Sequence, residues 1–556
     1  MKRNLARLAN EEFDVLVVGG GIYGVTTARE ATLRGLKVAL IERGDFGHAT
    51  SANSLKIIHG GLRYLQHGDF KRMRRSIRAR SELLRIAPHL IGPLMFVMPT
   101  YGHLLKGREV MALALSVNDL ISWDQNRNLN VEQLIPRGRT ISKTQTLQYL
   151  PEIDKKGLTG GAIWYDCIAK HTERLTLEFI IAAANRDACA ANYVEAKQLM
   201  LSGNSVIGVQ AHDTIHGKDL EIRSKVVVNA TGPWIKKFLE LLPAKPILNV
   251  SWAKAVNVMI KKTPFNGYAA GLAGKEDCSD RDTIIKKGKR LFFWVPWQSG
   301  SMVGTTYKRY FCDPEACRIE EADIVEILDE INFGYPGVNL SLDDVCFYHA
   351  GLVPIFGKAG DSDQNVQLVR HSLILDHEKM SRIKGIITVN GVKYTTAIEL
   401  AKDTVNLVLK KLGLEKPKYT GDALLPGAVC DLIGNDVSSR NHRTHVVQQR
   451  TIDHLKQIYG AQYKSVMDLA KSDEKLAETI CQGSPTIKAE VVYAIREEMA
   501  QHLSDVVMRR TELINIGNPG SEAVRTCAEI MGNELRWEES RRKTEVNNVQ
   551  AVLRPL

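Results

Sequence analysis

The chain opens on a short polar stretch and then turns apolar. Phe13-Asp14-Val15-Leu16-Val17-Val18 is a largely β-branched run and predicts a buried parallel strand. Gly19-Gly20-Gly21-Ile22-Tyr23-Gly24 follows directly. Residues 25–34 then carry a helical pattern closed by Gly35, and residues 37–41 predict a second strand ending at Glu42. Together they form a complete β-α-β unit. Residues 69–86 predict an amphipathic helix with Phe70, Met73, Ile77 and Leu84 on one side and Lys71, Arg72, Arg74, Arg75, Arg78 and Arg80 on the other. Further on, 175–184 reads as a helix and 225–230 as a buried strand running into Thr231-Gly232-Pro233. Residues 291–297 and 301–306 read as strands joined by the turn Gln298-Ser299-Gly300. A short strand at 386–389 leads through Asn390-Gly391-Val392-Lys393 into a helix from about Thr395 to Leu412. After Pro417 the character changes. Residues 447–545 show helical patterns and almost no strand signal, which predicts a separate helical C-terminal domain. There is no tandem repeat.

A length of 556 residues suggests about three domains. With 44% hydrophobic and 25% charged residues, a wholly disordered chain is excluded. The formal net charge of +11 admits nucleic acid, an anionic membrane surface or an acidic small molecule as partner. The absence of zinc-finger spacing and basic-zipper heptads argues against nucleic acid. Nine cysteines, an odd number without a C-x-x-C pair, suit a reducing cytosol rather than a disulfide framework or a zinc site. Residues 1–10 have no apolar core of a secretory signal. The longest apolar stretch, 90–99, contains Gly92 and Pro93 and is too short to span a bilayer. The expectation is a cytoplasmic protein, either soluble or peripheral on the cytoplasmic membrane. The basic face of 69–86 reads either as a solvated helix face or as a surface attracted to anionic lipid.

Gly19, Gly21 and Gly24 form G-x-G-x-x-G between a predicted strand and a predicted helix, the context that makes this motif a dinucleotide site. The first glycine permits the tight turn. The second lets the backbone approach a pyrophosphate, and the third lets helix and strand pack closely. The helix N-terminus faces the phosphates. Glu42 ends the second strand, where it can accept hydrogen bonds from ribose hydroxyls, and an acid there disfavours a 2′-phosphate. An N-terminal unit of this kind fits flavin proteins of the glutathione-reductase type. The small residues of Ala230-Thr231-Gly232 let the backbone pass close to a cofactor. A late helix N-terminus at Gly391, Lys393, Thr395 and Thr396 suits the flavin's pyrimidine end, where negative charge develops on reduction. The predicted cofactor is therefore FAD, with no metal.

The segment Ala49-Thr50-Ser51-Ala52-Asn53-Ser54-Leu55-Lys56-Ile57-Ile58-His59-Gly60-Gly61-Leu62-Arg63-Tyr64-Leu65 closely resembles the flavin-contacting segment of FAD-dependent glycerol-3-phosphate dehydrogenases. Ala87-Pro88-His89, Arg174-Leu175, Asn229-Ala230-Thr231-Gly232-Pro233-Trp234, Gly304-Thr305-Thr306 and Lys393-Tyr394-Thr395-Thr396 match in order. Residues 487–496 and Arg509-Arg510-Thr511 resemble the family's helical C-terminal domain. The resemblance implies an α/β fold: a glutathione-reductase-type FAD-binding domain, an inserted antiparallel-sheet substrate domain and an all-helical C-terminal domain. The expected division is 12–95, 155–245 and 350–412 for FAD binding, 96–154 and 246–349 for the substrate cap, and 418–545 for the helical domain. It also implies oxidation of the C2 alcohol of glycerol 3-phosphate to dihydroxyacetone phosphate by hydride transfer to flavin N5, with electrons passing to quinone or oxygen. The resemblance further implies a small, anionic substrate and a homodimer.

Motif and resemblance together assign cofactor contacts to Gly19, Gly21, Ile22, Tyr23, Gly24, Glu42, Arg43, Thr50, Ser51, Ser54, Lys56, His59, Gly60, Gly61, Ala230, Thr231, Gly232, Trp234, Gly391, Val392, Lys393 and Thr395. Arg63, Tyr64, Arg370 and Lys393 match substrate-pocket positions. Arg63 and Arg370 would hold a phosphate by charge-assisted hydrogen bonds, and Lys393 would stabilise an alkoxide or the reduced flavin. Lys254, Arg63 and Lys393 are the expected catalytic residues.

The departures from the family fall in the pocket. Gly351-Leu352-Val353-Pro354 has Val353 where the family has an arginine. Lys254 aligns with a histidine that is a candidate general base. Gly391-Val392-Lys393 replaces Gly-Gly-Lys, and Tyr307 stands where an acid follows Gly-Thr-Thr. Lys254 would serve as a base only with its pKa lowered by burial or neighbouring cations. These changes favour, as the alternative, an oxidoreductase of the same fold acting on a different alcohol or amine. A flavin protein without catalysis is opposed by Arg63, Tyr64, Arg370 and Lys393. His59 reads as a cofactor wall rather than a covalent attachment, Trp294 and Trp297 as sheet core, and Cys312 and Cys317 as ordinary thiols. Asp361-Ser362-Asp363 lacks the glycine and closing glutamate of a calcium loop.

Overall fold

The computed structural model describes residues 1–103, 107–242, 250–279, 287–355, 366–415, 417, 423–429, 447–514 and 517–553. The acidic triplet at 361–363 and the start of the expected helical domain at 418–422 lie outside them.

The β-α-β unit forms as its pattern predicts, with strand Glu12–Val18, helix Ile22–Leu33 and strand Val38–Ile41. Val15–Val18 pair in parallel with Val38–Ile41 on one side and with Val226–Asn229 on the other. Strand Ile386–Asn390 adds in parallel beyond that. The carboxyl ends of these strands therefore emerge together, which is where open parallel sheets bind ligands. The core strands are apolar on both faces because both are covered, one by helices and the other chiefly by strands Val194–Ser202 and Ser205–Asp213 with two short helices. Val15, Val17, Val38 and Leu40 pack with Val25, Ala28, Leu177, Val405 and Val408. Leu16, Ala39, Ile41 and Val227 pack on the other face. The long strand Lys218–Asn229 is parallel to Glu12–Val18 in its second half and antiparallel to Ser205–Asp213 in its first.

A second, nine-stranded sheet is mostly antiparallel. Its order runs from Val345–Ile355 through Ser251–Ile260, Gly300–Tyr310, Lys287–Trp297, Ala269–Ser279, Ile91–Tyr101 and Leu158–Ala169 to Ile57–Ile58. This departs from the expected division of the chain at four places. Ile57–Ile58, residues 91–95 and residues 350–355 fell in the expected cofactor-binding part but pair within this sheet. Leu158–Ala169 was assigned to the cofactor-binding part, but it pairs along the whole length of Ile91–Tyr101 and belongs to the second sheet. Its apolar run carries no signal for which of two sheets it joins. Helix Glu321–Gly334 covers one face of this sheet, with Ile324, Ile327 and Leu328 packed against Val256, Val258 and Trp294. Trp294 and Trp297 are both buried, the former in this core and the latter against the C-terminal helices.

Helices Gln449–Tyr459, Tyr463–Ser472, Lys488–Glu498, Ser521–Glu534 and Glu539–Leu553 make up the C-terminal part, the last running past the expected limit at 545. No helix among the described residues is long and apolar enough to cross a membrane.

Candidate active site

Between the two sheets lies a cavity of about 1380 Å³. That exceeds the 300–1,000 Å³ usual for a small-molecule pocket and leaves room for a dinucleotide together with a substrate. All but two of the residues assigned to the cofactor line it. Gly24 sits beneath the turn, and a Cβ there would lie 1.8 Å from the Gly19 carbonyl oxygen, so close helix–strand packing requires glycine. Gly60 instead donates its N–H to Asp166 at 2.5 Å.

Three elements of the wall fit the flavin dinucleotide. At the turn, Ile22 N–H donates to Ser51 Oγ at 2.9 Å, and the Cβ position of Gly21 has that hydroxyl as its one near neighbour, at 3.2 Å. At the end of Val38–Ile41, the Glu42 carboxylate accepts from Gly20 N–H at 2.6 Å and Gly44 N–H at 2.8 Å, and Glu42 lines the cavity. The Arg43 guanidinium lies 4.4 Å from the centroid of the Trp234 ring beside it. On the late helix, Gly391 passes so close to Tyr23 that a Cβ would lie 1.7 Å from its ring, and the Tyr23 hydroxyl donates to the Lys393 carbonyl at 2.7 Å. Thr395 Oγ1 accepts the His59 N–H at 3.2 Å, tying this helix to the 49–65 segment. His59 Nε2 is buried on the cavity wall with no protein partner, a polar atom that a bound group would satisfy. Lys56 is buried behind this segment, donating to Ala52 O, Thr172 Oγ1 and Glu173.

Arg63, Tyr64, Arg370 and Lys393 all line the cavity. The Lys393 nitrogen lies 4.9 Å from the centroid of the Tyr64 ring, and Arg72 covers the same ring at 4.1 Å. Burial, reinforced by Arg72 and Arg63, pushes the Lys393 pKa down to about 7. Burial and the cations Lys393, Arg72 and Arg80 hold His59 well below its ordinary value. Burial raises Tyr64 to about 12, so it stays a neutral hydroxyl at physiological pH.

Lys254 does not join this group. Its ammonium donates to Asp323 at 2.5 Å and to the Arg318 carbonyl at 3.2 Å, beneath helix Glu321–Gly334. Strand alternation is the reason. Ala255 and Asn257 face the cavity, while Lys254 and Val256 face the helix. The expectation that Lys254 is catalytic is therefore corrected, and the lowered lysine pKa it required is found at Lys393. Val353 and Tyr307 do line the cavity.

Sequence reasoning missed two contributors. Asp166 accepts from Gly60 N–H, from Arg80 at 2.6 Å and from Trp164 Nε1 at 3.2 Å, anchoring the 49–65 segment. A lone acid inside the apolar run Gly161-Ala162-Ile163-Trp164-Tyr165-Asp166 was the available signal. Arg72 belongs to the basic face that reads as either solvated or attracted to anionic lipid. Arg72 and Arg80 depart from both readings, the first lying over Tyr64 and the second buried; Arg74 pairs with Asp124, Arg75 forms an exposed pair with Asp403, and Lys71 and Arg78 stand exposed.

The chain matches the FAD dependent oxidoreductase family over residues 14–404 and the C-terminal domain of alpha-glycerophosphate oxidase over residues 419–542. It is 30% identical to a glycerol-3-phosphate dehydrogenase of Synechocystis sp., covering 96% of this chain and 95% of that protein. It is 30% identical to glycerol-3-phosphate dehydrogenase 2 of Mycobacterium tuberculosis, covering 98% and 88%. Among solved structures, the glycerol-3-phosphate dehydrogenase from Bacillus halodurans complexed with FAD shares the fold with a TM-score of 0.73 at 23% identity, over 99% of this chain and 96% of that one.

Proposed function

The chain belongs to the FAD-dependent oxidoreductases, in the branch of the glycerol-3-phosphate dehydrogenases, and on that premise we propose that it oxidises the C2 alcohol of glycerol 3-phosphate to dihydroxyacetone phosphate with Lys393 as general base. FAD supplies the hydride acceptor for the hydrogen on C2. The protein's own task is to bind the phosphate, orient C2 and remove the hydroxyl proton. Arg63 and Arg370 carry the phosphate as charge-assisted donors. The neutral Lys393 amine takes the proton as the C–O bond becomes a carbonyl, and the resulting ammonium rests over the Tyr64 ring. The observation that carries this reading is a half-buried lysine near arginines, with a pKa near 7, on the cavity wall. A base matched to the working pH is the most effective proton acceptor. Anaerobic mixing of the purified holoprotein with glycerol 3-phosphate should bleach its flavin absorbance. An unreduced flavin would refute the proposal.

Val353 favours a second reading, in which the same machinery oxidises another alcohol or an amine. A valine neither binds an anion nor polarises a hydroxyl. The same anaerobic assay with neutral polyols, 2-hydroxy acids and amino acids separates the two.

For the electron acceptor and location, helix Arg108–Ile121 supports peripheral docking on the cytoplasmic membrane and transfer to a lipid-dissolved quinone rather than to oxygen. Between Val110 and Trp123 its one charged residue is Asp119. Leu113, Leu120 and Trp123 are 63%, 74% and 77% exposed. Val110, Met111, Ala114 and Val117 of the same helix line the cavity. An exposed apolar face beside a basic helix suits a lipid surface, and it delivers an apolar acceptor to the cavity.

A further inference from the structure

The C-terminal helical part grips the cofactor-lining segments from behind at three places. The first is Asp45, in the loop between Glu42 and His48. It is fully buried and accepts from Arg510 at 2.7 and 2.8 Å, from Arg509 Nε at 2.6 Å and from Asn192 at 3.2 Å. Its neighbours touch the dinucleotide turn. Phe46 packs against Gly20, Gly47 N–H donates to the Gly20 carbonyl at 3.0 Å, and Gly44 N–H donates to Glu42. Arg43, Gly47 and His48 line the cavity. The second place is Tyr193, whose hydroxyl donates to Asp505 at 2.5 Å and which precedes the cavity-lining Val194 and Glu195. The third is His171, paired with Glu512. It adjoins Thr172 and Glu173, which receive the buried ammonium of the cavity-lining Lys56.

A residue that fixes a cofactor-binding loop through another side chain acts on binding without touching the ligand. Asp45 is well suited to this. Buried and ionised, it has no stable alternative to its two arginines, so the loop has one position when the C-terminal part is docked. We propose that the C-terminal helical domain is part of the FAD-holding apparatus, with Arg509 and Arg510 as positioning residues that act through Asp45 on the 43–48 loop. Domain docking and FAD affinity are then coupled, and coupling is reciprocal: bound FAD must tighten the docking as much as docking tightens FAD.

Two measurements on the full-length protein test this. In the wild type, hydrogen exchange of residues 503–514 is compared with and without FAD, and added FAD should slow it. Equal exchange would overturn the proposal. In variants, the FAD Kd is measured by flavin fluorescence titration of the deflavinated protein. Asp45→Asn and Arg510→Met should raise Kd roughly 5- to 150-fold, with Arg510→Lys between them and the wild type. The KM for substrate at saturating FAD should stay unchanged. A lowered Tm with a wild-type FAD Kd in Asp45→Asn would mean that the pair only holds domains together, and the proposal would fail.

Discussion

The Lys393 nitrogen lies 4.9 Å from the centroid of the Tyr64 ring, and burial, reinforced by the Arg72 and Arg63 charges, depresses its pKa to about 7. If the neutral amine is the base, kcat/KM must rise with pH through about 7 and level off above it, because protonation removes the acceptor. A requirement for the ammonium would give the opposite limb. Replacing Lys393 with Met should lower the rate of flavin reduction by about 10²- to 10⁴-fold and abolish that limb. Single-turnover reduction across pH 5.5–9 measures both (roughly two units either side of the matched pKa).

How much of this was legible in the chain depended on how local each cause is. Gly24 and Glu42 answer to neighbours within one β-α-β unit, so spacing alone placed them, down to the Gly19 carbonyl that excludes a Cβ at Gly24. Lys254 was misplaced because a motif position does not state which face of its strand is wet. The alternation of Ala255 and Asn257 against Val256 decides it, and that requires knowing where helix Glu321–Gly334 packs. The basic helix failed for a related reason: a polar face toward a cavity and a polar face toward solvent have the same periodicity. Asp166 and Arg80, 86 residues apart, meet only through the second sheet.

Gly21 faces the cavity where the pyrophosphate is expected, with Ser51 Oγ the one near neighbour of its Cβ position. Gly21→Glu should abolish FAD retention, since the side chain and its charge would fill that space. The absorbance ratio at 450 and 280 nm of the purified variant (about the wavelengths of flavin and protein absorption) reports it. Full flavin occupancy would show the cofactor placed wrongly.

Lys254→Met separates stability from catalysis. The substitution leaves Asp323 with Lys308 at 3.1 Å but removes its shortest partner. A loss of about 1–3 kcal/mol in unfolding free energy is expected, with kcat/KM within about twofold of the wild type. Burial alone would raise Asp323, but hydrogen bonds from Lys254, Glu320 N–H and Lys308 outweigh it and hold it below the usual range. Its contribution is therefore present above the unfolded carboxylate pKa and lost as pH falls through the folded one, and the variant's deficit should shrink in acid. Denaturant titrations at neutral and acidic pH, run beside the kinetic assay, check both parts.

Leu120→Glu with Trp123→Glu should weaken vesicle binding by about tenfold or more per side chain, since each large apolar group contributes about 1.5–3 kcal/mol when buried. Lys71→Gln with Arg78→Gln should remove mainly the salt-sensitive preference for anionic vesicles, at about 1 kcal/mol per charge. Sedimentation with neutral and anionic vesicles at low and high salt distinguishes the two contributions. Unchanged binding by the glutamate pair would exclude the apolar helix as the docking face.

Val353 is the departure that bears most directly on substrate. It lines the cavity on strand Val345–Ile355, opposite Ala253 of the neighbouring strand, so its side chain shares the cavity face that Lys254 does not. Arg63 and Arg370 suffice in number to hold a phosphate. What an arginine at 353 would add is a charged donor toward the reacting hydroxyl, worth about 1.5–3 kcal/mol, or roughly 10- to 150-fold in rate if it acts in the transition state. Val353→Arg alone is therefore expected to raise flavin reduction by glycerol 3-phosphate, whereas Lys254→His should do nothing for it, because position 254 faces helix Glu321–Gly334. The gain should appear in kcat more than in KM, as expected for an interaction made to the reacting centre rather than to the phosphate. If the wild type already turns over glycerol 3-phosphate rapidly and Val353→Arg slows it, the valine is part of a site adapted to that substrate without a third arginine.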